Sequence, residues 1–133
     1  AVLFTLPGSP CIYYGTEIAM EGGFDPDCRR CMPWDEIGTA ENQEKIGLMK
    51  QLIRIRQTEE TCRSPHFHFP NQYPDRRCVE YIKLDPDNRE LEVVLNCSDG
   101  PLNVGEGGEI LFARKYDRGI LEKNGTLIRK KAL

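Results

Sequence analysis

The clearest periodicity in the chain lies between residues 40 and 63. There Ile46, Met49, Leu52, Ile53 and Arg56 recur at spacings of three and four, while Lys45, Lys50 and Gln57 fall elsewhere. That pattern predicts an amphipathic helix, because residues three and four apart share one face of a 3.6-residue turn. Thr39 is placed to cap it, and Glu41 and Glu44 suit the positive end of its dipole. The pattern fades by Arg63, and Pro65 stops it. Residues 1–38 show no such period. The apolar start, Ala1 to Leu6, predicts the tail of a core helix separated from its upstream sequence, since an exposed apolar hexapeptide is a liability. After the turn Pro7-Gly8-Ser9-Pro10 comes Cys11-Ile12-Tyr13-Tyr14, a β-favouring run predicted to be a strand buried on both faces, as in a parallel sheet. Gly15 closes it, and a long loop from Glu17 to Ile37 follows, punctuated by Gly22-Gly23, Asp25-Pro26 and Met32-Pro33.

Beyond Pro65 the pattern changes to short strands separated by turn residues. Val79 to Leu84 and Glu90 to Asn96 flank Asp85-Pro86-Asp87-Asn88 as a predicted hairpin, and Glu109 to Lys115 is a further strand. Asn124-Gly125, between Ile120-Leu121 and Leu127-Ile128, predicts a type I′ hairpin turn, which needs φ > 0 at both central residues. His66 and His68 alternate with Phe67 and Phe69 and are read as packing histidines. The architecture expected is a strand–loop–helix unit of an α/β domain over residues 1–64, then a small antiparallel β-sandwich over residues 65–133. The boundary is placed between Arg63 and Asn71. A lone strand cannot bury both faces, so the first unit predicts a fragment of a larger domain.

Composition narrows the function classes. With 29% charged and 39% hydrophobic residues the chain is globular rather than disordered. A net charge of −3 with interspersed signs argues against a nucleic-acid partner. No apolar run approaches the roughly 20 residues that span a bilayer, which argues against membrane insertion. The six cysteines are scattered, as suits reduced thiols in a cytoplasmic protein, although three disulfides stay possible. Cys28-x-x-Cys31 with His66 and His68 could be a zinc site or a redox dithiol. The first lacks a familiar ligand spacing and the second a strand-then-helix context, so no metal and no cofactor are expected. Asn96-Cys97-Ser98 matches a glycosylation sequon and is read as incidental. The densest polar cluster runs from Asp25 to Asp35; its carboxylates and guanidinium groups suit sugar hydroxyls, with surface ion pairs as the equal alternative.

Leu6-Pro7-Gly8-Ser9-Pro10-Cys11-Ile12-Tyr13-Tyr14-Gly15-Thr16-Glu17-Ile18 resembles the eighth-strand segment of the α-amylase family of glycoside hydrolases. Met20-Glu21-Gly22-Gly23 and the stretch from Asp25 to Trp34 resemble its neopullulanase, cyclomaltodextrinase and maltogenic amylase branch. Leu52-Ile53-Arg54-Ile55-Arg56 is similar to the last barrel helix, and Val93-Val94-Leu95-Asn96-Cys97-Ser98 to the sandwich that follows the barrel. The resemblance implies the remnant of a (β/α)₈ barrel (strand 8, its loop and the last helix) followed by an all-β C-terminal sandwich. It implies a parent enzyme that hydrolyses α-glucosidic bonds of maltodextrin-type glucans with retention. The nucleophile, acid/base and third catalytic Asp of that family follow strands four, five and seven and have no counterpart here, so the chain alone is expected to be inactive. Asp25 and Arg29 match loop positions that contact glucose units in relatives. Glu17 and Trp34 are read as loop anchors, with stacking on a sugar or burial against the last helix both open for Trp34. Thr16 departs from the Asp often found before that Glu. The implied partner is an α-glucan oligosaccharide bound through the parent barrel, with self-association of the truncated chain possible. The other function class in play is a non-catalytic sugar-binding or structural β-sandwich module.

Overall fold

The computed structural model describes residues 1–70, 72–74 and 77–131, so the Asn71 end of the expected boundary lies outside the described residues. A short helix α1 (Val2–Thr5) leads into an irregular segment with two 3₁₀ turns, Thr16–Ile18 and Asp27–Arg29. The long helix α2 (Ala40–Thr58) follows, then α3 (Glu60–Arg63). Among the described residues six strands follow: β1 (Phe67–His68), β2 (Cys78–Leu84), β3 (Glu90–Asn96), β4 (Leu102–Asn103), β5 (Glu109–Asp117) and β6 (Ile120–Lys130).

Helix α2 begins as the pattern predicts. Thr39 sits in an extended conformation, and its hydroxyl accepts from the Asn42 backbone N–H at 3.4 Å. At the other end Glu59 breaks the helix with ψ 108, and α3 closes at Ser64, just before Pro65. Leu52 and Ile55 are its buried apolar residues, with Leu48, Met49 and Ile53 packed beside them.

All strand pairs are antiparallel and belong to one sheet, in the order β1-β2-β3-β6-β4, with β5 also on β6. The β2–β3 hairpin runs in register from Cys78 opposite Asn96 to Leu84 opposite Glu90. Its turn is tied by the Asp85 carboxylate, which accepts from the Asp87 and Arg89 N–H groups at 2.9 Å each, while Asn88 takes φ 58. One face of the sheet packs Tyr81, Leu91, Val93, Phe112 and Ile128 against Phe4, Leu52, Ile55 and Cys62 of the helical layer. The other face curls around a second cluster of Val94, Leu102, Val104, Leu121 and Leu127, giving a sandwich-like cross-section from a single sheet. Both faces of β2 and β3 are therefore covered, which explains their runs of consecutive buried residues.

Three sequence expectations need correction. Cys11–Tyr14 forms no strand: it is irregular and exposed, because no described strand offers its backbone a ladder. His66 and His68 are both exposed rather than packed, since β1 lies at the sheet edge. Asn124-Gly125 makes no hairpin turn. The two-residue turn is Arg118-Gly119, with φ 40 and 83, and β6 runs straight through the Asn-Gly pair to complete its register with β3. Asn124 keeps φ 59 at an irregularity opposite Lys115. Gly125 serves closeness instead of a positive φ: a Cβ there would lie 2.7 Å from the Glu122 carbonyl oxygen and 2.8 Å from Leu121 Cδ1.

Two cations join the layers. Lys83 is fully buried and donates Nζ to the carbonyls of Thr5 at 2.6 Å and Cys62 at 2.8 Å. Arg56 donates to the carbonyls of Phe4, Leu6, Gly8 and Cys62 at 2.6–3.3 Å. Thr5 and Tyr81 also share a hydroxyl–hydroxyl hydrogen bond. Phe4 and the sheet thus belong to one core that crosses residues 64 and 65.

The sequon asparagine has a structural task. Asn96 is 1% exposed; its Nδ2 donates to the carbonyls of Gly100 and Leu121 at 2.9 and 2.8 Å, and its Oδ1 accepts from the N–H and hydroxyl of Ser98. Asn96→Ala is expected to cost about 1–3 kcal/mol, the penalty for buried groups left without partners. A urea midpoint indistinguishable from the parent chain would show that the network carries no stability.

Candidate functional site

The Asp25–Asp35 cluster lies on the loop that leads into α2, and local geometry explains its shape. Gly15 (φ 83) and Ala19 (φ 55) flank the Thr16–Ile18 turn in left-handed conformations. Between them the side chain of Ile18 is buried and roots the start of the loop. The Tyr14 hydroxyl donates to the Arg30 carbonyl at 2.8 Å and ties the middle of the loop back to its entry. At the far end the side-chain amides of Asn42 and Gln43 on α2 donate to the Glu36 and Ile37 carbonyls at 3.0 and 2.8 Å. A cleft of about 560 Å³ opens between loop and helix, with Met20, Arg30, Pro33, Asn42 and Lys45 among its walls.

Two ion pairs organise the tip. Arg29 donates Nε to Asp25 Oδ1 at 2.8 Å, and Arg30 binds Asp27 through Nε and Nη2 at 2.6 and 2.7 Å. The Arg30 guanidinium holds the Asp27 carboxyl below its ordinary range against the opposing effect of desolvation, and the Gly23 N–H adds to the lowering. Asp25 and Arg29 are therefore brought together, with their side chains 62% and 65% exposed. Such a pair presents fixed acceptors and donors to solvent, which is what vicinal hydroxyls require.

Glu17 and Trp34 lie elsewhere. Glu17 is half-buried and makes no side-chain hydrogen bond among the described residues; it borders an open apolar groove with Ile12, Tyr13, Tyr14, Met49 and Ile53. Trp34 is 76% exposed and is not buried against α2. The anchoring contacts seen are those of Tyr14, Ile18, Asn42 and Gln43, which the sequence reading passed over. The polar position Asn42, just inside a capped helix start, was the available signal. Among the described residues no three His, Cys, Asp or Glu side chains converge as a metal site, and all six cysteines are free. No described helix is long and apolar enough to cross a membrane.

No protein-family model matches the sequence. Two kinds of likeness do place it. A cyclomaltodextrinase from a Bacillus species is 37% identical over 97 residues, covering 73% of this chain and 17% of that protein. An intracellular maltogenic amylase from Bacillus subtilis is 49% identical over 61 residues, 46% of this chain and 10% of the relative. Among solved structures, the ligand-free cyclic α-maltosyl-(1→6)-maltose hydrolase from Arthrobacter globiformis matches 98% of this chain and 29% of its own, with TM-score 0.70 and 24% identity. That likeness shows the fold. The chain belongs to the α-amylase family of glycoside hydrolases, where it corresponds to a C-terminal part with its curled β domain. It spans about a sixth of the length of the curated cyclomaltodextrinase it matches.

Proposed function

We propose that this chain acts as the C-terminal part of a retaining α-glycoside hydrolase that cleaves maltodextrin-type glucans. Its loop would contribute Asp25 and Arg29 to the sugar-binding face. The observation that carries this reading is the sequence likeness to a cyclomaltodextrinase over 73% of the chain, which extends to an intracellular maltogenic amylase. The pre-paired, solvent-facing Asp25 and Arg29 supply the matching chemistry, because a hydroxyl pair can accept from the guanidinium and donate to the carboxylate. In this reading residues 1–64 form the edge of a (β/α)₈ barrel, and residues 65–133 the C-terminal β domain. The open groove lined by Ile12, Tyr13, Met49 and Ile53 supports it, since a neighbouring layer of the barrel would cover such an apolar face. Pairing with neighbouring barrel strands would also give Cys11–Tyr14 the ladder it lacks. Glu17 would brace the loop from that groove, and exposed Trp34 offers a stacking face for a sugar ring. The name of the Bacillus subtilis relative supports a cytoplasmic location.

The chain carries no nucleophile and acid/base pair in this reading. It is expected to release no reducing sugar from maltodextrin, cyclodextrin or pullulan, and turnover by the pure chain would overturn it. In the longer polypeptide that the reading requires, Arg29→Ala is expected to raise KM for maltooligosaccharides about tenfold. One charge-assisted hydrogen bond of about 1.5–3 kcal/mol is enough for that. An unchanged KM would remove Arg29 from the sugar contacts.

A further inference from the structure

Two cysteines bracket the tip of the same loop. Cys28 and Cys31 are both free and exposed, three residues apart. Cys28 lies in the 3₁₀ turn Asp27–Arg29 and its thiol faces Asp25 Oδ1 at 4.0 Å. The peptide between the two is held by the Tyr14 hydroxyl on the Arg30 carbonyl. Desolvation and then Tyr13 raise the Tyr14 phenol pKa, and charge on Cys31 and Cys28 adds to the rise. Cys11 and Cys97 are exposed as well but have no cysteine three residues away, and Cys62 and Cys78 are placed differently. Burial pushes Cys62 and Cys78 up to about 11, which keeps them protonated and slow to react near neutral pH.

We propose that Cys28 and Cys31 form a dithiol modification site that exchanges with small-molecule disulfides and closes to a Cys28–Cys31 disulfide around Arg29 and Arg30. The thiolate of one cysteine attacks a sulfur of the reagent, breaks its S–S bond and releases one thiol. The second cysteine's thiolate then attacks the protein sulfur of the mixed disulfide, forming the Cys28–Cys31 bond and releasing the second thiol. The loop loses two electrons and the two thiol protons; the reagent disulfide is reduced to two thiols. A disulfide holds its Cα atoms within about 4.4–6.8 Å. Arg30 leaves the turn extended, at φ −58 and ψ 150, so closing the ring draws residues 30 and 31 back toward Cys28. Closure therefore acts on the segment that carries Arg29. The proposal goes beyond the glucan reading, and its test does not depend on it.

The test uses the full chain, reduced, then exposed to graded ratios of oxidised to reduced glutathione, acid-quenched, alkylated and mapped by peptide mass. The peptide holding Cys28 and Cys31 is expected to lose two hydrogens and both alkylation sites. This should happen at oxidised-glutathione levels about tenfold below those that load glutathione onto exposed Cys11, because the second thiol is an intramolecular partner at about millimolar effective concentration. Cys31→Ser is expected to replace the internal bond with a stable glutathione adduct on Cys28. Separate adducts on Cys28 and Cys31 in the unaltered chain, pairing of either with Cys11, or oxidation no easier than that of Cys11 would each overturn the proposal.

Discussion

Arg129→Met is expected to lower the unfolding free energy by about 3–5 kcal/mol, the cost of stranding one partner of a buried ion pair. Arg129 is 7% exposed and its partner Glu92 1%. The guanidinium donates Nε to Glu92 Oε2 at 2.5 Å, Nη2 to the Val104 carbonyl at 2.8 Å and Nη1 to the Gly105 carbonyl at 2.9 Å. These bonds tie the last strand to the β4–β5 connection on the curled face of the sheet. With Arg129 gone, Glu92 keeps, among the described residues, only Lys131, 3.4 Å from Oε1; the Val104 and Gly107 carbonyls lose their Arg129 donor, while that of Gly105 keeps the Tyr116 hydroxyl at 3.3 Å. Replacing both charges, Arg129→Met with Glu92→Leu, is expected to recover a large part of the loss, because no buried charge is then left alone. Urea unfolding of the four chains in the cycle measures the coupling. A single substitution within about 0.5 kcal/mol of the parent would place Arg129 with ordinary surface residues and refute the account.

The second large effect concerns Lys83 and is read through pH. Burial lowers the Lys83 pKa to about 8, and neighbouring Arg56 pushes the same way, while charge on Cys62 opposes the shift. In the unfolded chain a lysine titrates near 10.4. Between about pH 8 and 10.4 the unfolded chain therefore binds a proton that the folded chain has shed. The Lys83 contribution to stability therefore rises with pH across that window, by at most about 1.4 kcal/mol per pH unit and about 3 kcal/mol in all. At neutral pH the ammonium is still charged and its desolvation burdens the fold, offset by its bonds to the Thr5 and Cys62 carbonyls. Lys83→Met removes the titrating group while keeping its bulk. The difference in unfolding free energy between the two chains should therefore shift in favour of Lys83 as pH rises from 8 to 10. Cys62 and Cys78, pushed up to about 11, act in the opposite sense, because the folded chain keeps thiol protons that the unfolded chain sheds, and both are common to the two chains. A pH-independent difference would show that Lys83 does not shed its proton on folding.

These two residues also mark the limit of what could be read from the chain without coordinates. Lys83 and Glu92 stand in strands whose β-favouring residues announce Val79–Leu84 and Glu90–Asn96, and the observed β2 and β3 match those spans to within one residue. Nothing in a one-dimensional pattern marks a Lys, Arg or Glu as buried, because burial of a charge depends on which carbonyl or counter-charge another segment brings to it. The helix start at Thr39 was legible because capping is a contact between residues three apart. The loop's carboxylate–guanidinium pairing was legible as a composition, and its partner choice, Asp25 with Arg29 and Asp27 with Arg30, follows helical-turn spacing.

Where local preference and sheet register competed, register decided. Asn124-Gly125 has strong turn chemistry, yet β6 gains its five-residue pairing with β3 only by running on, so the turn moved to Arg118-Gly119. Cys11–Tyr14 has strand chemistry, yet a strand is defined by a neighbour's hydrogen bonds, and no neighbour pairs with it among the described residues. The sequence alone determined the long helix and its cap, the β2–β3 hairpin, the polar loop and the likeness to α-amylase-family hydrolases, all of which rest on interactions close along the chain or on residue identity. Only the tertiary structure decided that one sheet curls on itself, that Asn96 ties its end together, that Lys83 and Arg129 are buried, and that Arg56 reaches the carbonyls of α1. Each of those outcomes requires groups 20 to 80 residues apart to meet, as in the bond from Lys83 to Thr5 across 78 positions.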